Sequence, residues 1–132
     1  MSTTIMVVDD SATTRSLVAS YISEWDDCEV VEAASGFEAL KILPARKIDL
    51  IMTDINMPDI NGLELINFIR ENPNYRHIPT IIITTENSAE DRKRGMELGA
   101  RDYLVKPFSM EVLRQSLGKV LGRCQGPEAR EP

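Results

Sequence analysis

Ile5-Met6-Val7-Val8-Asp9-Asp10-Ser11 decides the fold: four apolar residues in unbroken succession, then two acids, then the start of a helical pattern. A strand with one wet face alternates apolar and polar residues, whereas a strand buried on both faces reads as a continuous run. Similar runs recur at Cys28 to Val31, Leu50 to Thr53, Thr80 to Thr84 and Tyr103 to Val105. Helical patterns lie between them. Leu17, Val18, Tyr21, Ile22 and Trp25 set an apolar stripe on a helix from about Ser11 to about Glu24.

Ser35 with Glu38 reads as a capping box, Phe37, Leu40 and Leu43 as the buried face of a second helix, and Pro44 as its stop. Leu63, Leu65, Ile66 and Ile69 mark a third helix that ends before Asn72-Pro73. Ser88 and Asp91 open a polar, largely solvated fourth helix closed by Gly99. Ser109 caps a fifth, whose core stripe is Val112, Leu113, Leu117, Val120 and Leu121. Strand and helix alternating through five units predict an α/β fold, a doubly wound parallel sheet with helices on both faces and right-handed crossovers.

The chain has 132 residues, enough for one domain with a working core and too few for a multidomain enzyme. Lys and Arg number 15 against 21 Asp and Glu, and the net charge of −6 repels polyanions, so direct nucleic-acid binding is not expected. Apolar runs fall far short of the roughly 18 residues that span a bilayer. Met1-Ser2-Thr3-Thr4 carries no signal-peptide pattern, and a cytoplasmic protein without a membrane role is expected. Cys28 and Cys124 are distant and form no C-x-x-C pair, which points to reduced thiols. From Gly122 onward almost nothing can be buried, so residues 1–121 are expected to form the domain and 122–132 a flexible tail or the start of a linker.

Ligands of open α/β sheets bind outside the carboxyl ends of the strands, and that rule selects the polar residues that matter. Asp9 and Asp10 close the first apolar run and Asp54 the third, so the fold gathers three carboxylates at one edge. Crowded like charges are costly unless a cation sits among them, and an all-oxygen set suits Mg²⁺ or Mn²⁺ better than zinc. Thr84 ends the fourth run with a hydroxyl and Lys106 the fifth with an ammonium, just before Pro107-Phe108. A nucleophilic carboxylate, a metal and donors for phosphoryl oxygens are the parts that phosphoryl transfer to a carboxylate needs.

Read together, Val7-Val8-Asp9-Asp10-Ser11, Thr53-Asp54-Ile55-Asn56-Met57-Pro58, Asn61-Gly62-Leu63-Glu64-Leu65, Ile83-Thr84-Thr85-Glu86 and Gly99 to Phe108 resemble the response-regulator receiver domains, most of all the single-domain chemotaxis regulators. The resemblance implies a flavodoxin-like sheet of strand order 2-1-3-4-5 and a two-component signalling switch. It implies that Asp54 is phosphorylated by a sensor histidine kinase or phosphotransfer protein. Mg²⁺ would be held by Asp10, Asp54 and the Asn56 backbone carbonyl, with Asp9 acting through water. Lys106 would pair with the phosphoryl oxygens, Thr84 would move onto one of them, and Tyr103 would follow inward. Lys106-Pro107 is the expected cis peptide. A downstream protein target would bind the fourth helix, fifth strand and fifth helix. Asn56, Thr85 and Glu86 stand where the family tunes phosphoryl lifetime, and Thr85 is bulkier than the Ala or Gly usual there.

The only catalysis implied is self-phosphorylation and self-dephosphorylation. One competing reading is a phosphatase of the haloacid-dehalogenase type, but Asp54-Ile55-Asn56 lacks the second aspartate that such an enzyme needs as general acid. Another is a receiver cut from a larger regulator with a separate output domain. His77 is the chain's one histidine and reads as a surface residue, so the chain is no obvious phosphohistidine donor.

Overall fold

The computed structural model of the chain describes residues 3–25, 27–85 and 88–122. Five parallel strands form one sheet, β1 (Thr3–Val8), β2 (Cys28–Ala33), β3 (Leu50–Thr53), β4 (Thr80–Thr84) and β5 (Asp102–Val105), in the order β2-β1-β3-β4-β5. The helices α1 (Ala12–Ile22), α2 (Gly36–Ile42), α3 (Gly62–Glu71) and α4 (Ala89–Glu97) fill the four crossovers, and α5 (Met110–Leu121) follows β5. Every residue of β1, β3 and β4 is buried, while the edge strand β2 is only partly so. The unbroken apolar runs have this cause: successive side chains point to opposite faces, and both faces are covered.

Ile5, Val7, Leu50, Met52, Ile81 and Ile83 pack with Val18, Ile22 and Trp25 of the first β-α segment and with Leu113 and Leu117 of α5. The alternate residues Met6, Val8 and Ile51 pack with Leu65 and Ile69 of α3, and Ile82 with Leu63, Ile66 and Tyr103. The polar helix α4 buries only Gly95, where an added Cβ would run into the Ile82 side chain. Close approach there replaces the apolar stripe that α4 lacks.

Several local expectations are corrected. Phe37 is 57% exposed, because Gly36, Ala39 and Leu43 take the inward face of α2. Val112 is 41% exposed and Ser116 lies inside instead, its hydroxyl held by Asp102 at 2.7 Å. Ser35 does cap Glu38 N at 3.1 Å, but the Glu38 carboxylate returns to Ala34 N rather than to Ser35 N. A reciprocal box forms at Asn61 and Glu64, with bonds of 2.9 and 3.0 Å. Cys28 is disulfide-bonded rather than a reduced thiol. Cys124 and the tail beyond Gly122 lie outside the described residues. Among the described residues no helix is long and apolar enough to cross a membrane.

Candidate functional site

The backbone ladder runs one residue past the strands and fixes the site. Asp9 N–H donates to Ala33 O at 3.0 Å, Asp54 N–H to Val8 O at 2.9 Å, and Lys106 N–H to Thr84 O at 2.8 Å. Residues that end their strands are therefore held at one edge before any side-chain contact forms. Carboxylate oxygens of Asp9, Asp10 and Asp54 lie within 4.8 Å of one another, with Asp9 and Asp54 buried and Asp10 exposed. An all-oxygen donor set of this kind fits a hard divalent cation.

Lys106 crosses from β5 to face these acids. Its Nζ donates to Asp9 Oδ2 at 2.9 Å, Thr14 Oγ1 at 3.3 Å and Asp54 Oδ2 at 3.4 Å. An ammonium has three donors, and each has an acceptor here. Burial alone pulls the Lys106 pKa down, but the Asp9 hydrogen bond and the Asp54 and Asp9 charges outweigh it and hold the pKa above its ordinary value. The remaining oxygens are anchored by backbone: Asp9 Oδ1 accepts from Ser11 N at 2.8 Å, and Asp54 Oδ1 from Ile55 N at 2.7 Å.

Four contributors were not singled out from the sequence. Thr14 looks like an ordinary residue of the first turn of α1, and only the fold brings its hydroxyl to Lys106. Thr14→Val is expected to cost about 1 kcal/mol in urea unfolding, by loss of one hydrogen bond to a charged group, and Thr14→Ser to recover most of it. A loss in Thr14→Ser with none in Thr14→Val would mean that the methyl group, not the hydroxyl, matters. Arg15 donates from Nη1 to the Asp9 carbonyl at 2.6 Å and from Nε to Glu32 at 3.0 Å, steadying the turn that carries Asp9. Gly62 packs so closely that an added Cβ would overlap the Asp54 carbonyl, and its N–H donates to Ile55 O at 2.8 Å.

Asp59 is the fourth. Its carboxylate accepts from Phe37 N at 2.9 Å, Gly36 N at 3.2 Å and Ile60 N at 2.6 Å, tying the segment after Asp54 to the start of α2. The Phe37 N–H, helped by those of Ile60 and Gly36, outweighs desolvation and lowers the Asp59 pKa from 3.8 to about 2. A carboxylate whose folded pKa is depressed stabilises the fold above its unfolded value and loses that contribution as pH falls through the folded one. The stability gap between wild type and Asp59→Asn is therefore expected to narrow between about pH 4 and pH 2. Urea unfolding followed by Trp25 fluorescence measures it, and a gap that ignores pH would remove the carboxylate from this account.

The other expected residues are placed as follows. Thr84 is buried at the end of β4, and Tyr103 is buried against Ile82 and Ala100 with the Arg92 guanidinium 5.4 Å from its ring centre. Asn56 is exposed just beyond Asp54. Thr85 is exposed and lines a cavity of about 400 Å³ with Thr13, Leu17, Lys106 and Phe108, beside the acids. The Lys106–Pro107 peptide is cis, as expected. Glu86 lies outside the described residues.

Comparison with known proteins agrees with this geometry. Residues 5–118 match the family described as the response regulator receiver domain. The Campylobacter jejuni protein named chemotaxis protein CheY homolog is 36% identical over 128 residues, 96% of this chain and 98% of that protein. Chemotaxis protein CheY1 of Helicobacter pylori is 38% identical over 89% of this chain and 96% of its own length. Among solved structures, Vibrio cholerae chemotaxis protein CheY4 superposes with a TM-score of 0.85 at 36% identity, covering 92% of this chain and all of that one.

Proposed function

The chain belongs to the response-regulator receiver family, and on that premise we propose that Asp54 is its phosphoacceptor, loaded by a sensor histidine kinase or a phosphotransfer protein. The observation that carries the reading is the uneven hold on Lys106, 2.9 Å from Asp9 but 3.4 Å from Asp54. The ammonium leans on Asp9 and leaves Asp54 the freer nucleophile, with one oxygen oriented by Ile55 N–H.

In the transfer an Asp54 carboxylate oxygen forms a bond to phosphorus as the phosphorus–nitrogen bond of phosphohistidine breaks. The electron pair of that bond leaves on the imidazole nitrogen. Asp10, Asp54 and the Asn56 carbonyl would hold Mg²⁺, with Asp9 acting through water. When bound, the ion supplies charge neutralisation that lets an anionic phosphoryl group approach an anionic site. Lys106 is positioned to turn its donors from Asp54 to the phosphoryl oxygens, and the Thr84 hydroxyl to take another. Thr85, on the rim of the adjoining cavity, narrows the approach to Lys106 and tunes the lifetime of the phosphorylated form, together with Asn56 and Glu86.

The readout is binding. Movement of Thr84 and Tyr103 biases the surface made by α4, β5 and α5, where Met96 and Val112 stand 42% and 41% exposed, toward a protein target. The names of the relatives support a target in chemotaxis, and a cytoplasmic setting goes with that role. Intact mass after incubation with phosphoramidate, with and without Mg²⁺, tests the reading. A single Mg²⁺-dependent phosphoryl adduct is expected, and its absence under all conditions would leave the chain a docking module without receiver chemistry.

A further inference from the structure

At the opposite end of the sheet from the acids, a cavity of about 130 Å³ lies among Ile66, Ile69 and Ile78, with Arg70, Arg76 and Arg101 in its wall. The three isoleucines are nearly inaccessible and the three arginines are exposed, so the cavity has an apolar floor and a cationic rim. In a chain of net charge −6, this concentration of positive charge runs against the average. None of the three guanidiniums is ion-paired with a carboxylate of the described residues, although Arg15, Arg46 and Arg114 are.

Two of the backbones are fixed, and one head touches a carbonyl. Arg76 N–H donates to Asn72 O and Arg101 N–H to Thr80 O, each at 2.8 Å, and Arg70, one residue before the end of α3, donates from Nη1 to the Glu97 carbonyl at 3.4 Å. Guanidiniums without a carboxylate partner keep donors that a bound carboxylate can take. Guanidinium also matches carboxylate in a planar two-point geometry.

We propose that this cavity docks an acidic segment of a partner protein, one aliphatic side chain seated on the isoleucines and flanking carboxylates on the arginines. The volume is well under the roughly 300–1,000 Å³ of small-molecule sites, which leaves room for one side chain rather than a nucleotide. A bare phosphate would face an apolar floor that offers it no hydrogen bond. The site lies at the other end of the sheet from the phosphoacceptor, so either assignment can fail without the other.

The test uses the full chain and an acetylated, amidated Glu-Asp-Leu-Glu-Glu peptide, followed by amide chemical shifts. Saturable shifts are expected at Thr80 and Gly99, and Arg76→Glu combined with Arg101→Glu is expected to weaken binding by about tenfold or more. Both arginines are exposed, and an unchanged urea midpoint would show that the double variant is folded. The proposal is overturned if the peptide leaves Thr80 and Gly99 unmoved or if the charge reversal does not weaken it. It is equally overturned if a Gln-Asn-Leu-Gln-Gln peptide binds as well, or if inorganic phosphate at equal ionic strength gives the same shifts, which would mean a simple anion site.

Discussion

Asp54→Asn is expected to abolish phosphoryl labelling by phosphoramidate, with and without Mg²⁺, while leaving the fold in place. The amide has the shape of the carboxylate, so its Oδ1 can still accept the Ile55 N–H bonded at 2.7 Å in the wild type. What it lacks is the anionic oxygen that attacks phosphorus, and no geometry compensates for that. Stability should change by no more than about 1 kcal/mol in either direction, because Lys106 keeps its shorter bond to Asp9 and one of three crowded like charges is gone. Intact mass reads the label and Trp25 fluorescence reads the fold. If the folded variant labels as the wild type does, the acceptor is elsewhere, with Asp9 and Asp10 first to be mapped. An unfolded variant would move Asp54 from chemistry to architecture.

The reasons this site was legible in the sequence, and the reasons parts of it were not, are physical. Strands buried on both faces leave long apolar runs, so β1, β3 and β4 and the polar residues that stop them stand out, and topology then brings those stops together. Asp9, Asp54, Thr84 and Lys106 were readable for this reason. Thr14 was not, because a threonine in the first turn of a helix has a sufficient local explanation, and its link to Lys106 spans 92 residues. Asp59 was hidden in the same way: its partners, Gly36 and Phe37, belong to another crossover. Phe37 and Val112 failed differently. Helical periodicity gives the width of an apolar stripe but not which border residue faces inward, and in α2 and α5 small side chains at Ala39 and Ser116 settled the rotation.

Lys106→Ala is expected to couple stability to Mg²⁺ more strongly than the wild type does. Asp9 is wholly inaccessible, and among the described residues Lys106 is the one side chain donating to its Oδ2. Removing one partner of a buried ion pair strands the other, and on that ground the variant should lose about 3 kcal/mol in metal-free buffer. The same change strips the fixed positive charge from a cluster of three carboxylates, so a divalent cation meets a more negative site and should bind more tightly. Stabilisation by a ligand grows as its dissociation constant falls below its concentration, so added Mg²⁺ should raise the urea midpoint of Lys106→Ala more than that of the wild type. Equal shifts in the two proteins would mean that Lys106 and the metal do not share one field. The consequence for signalling is separable. A variant that holds the ion and accepts the phosphoryl group but has no ammonium to turn toward it should bind a target equally with and without phosphate. If phosphorylation still changes target affinity in Lys106→Ala, then Lys106 balances the acids only, and the switch must be thrown by the Thr84 hydroxyl alone.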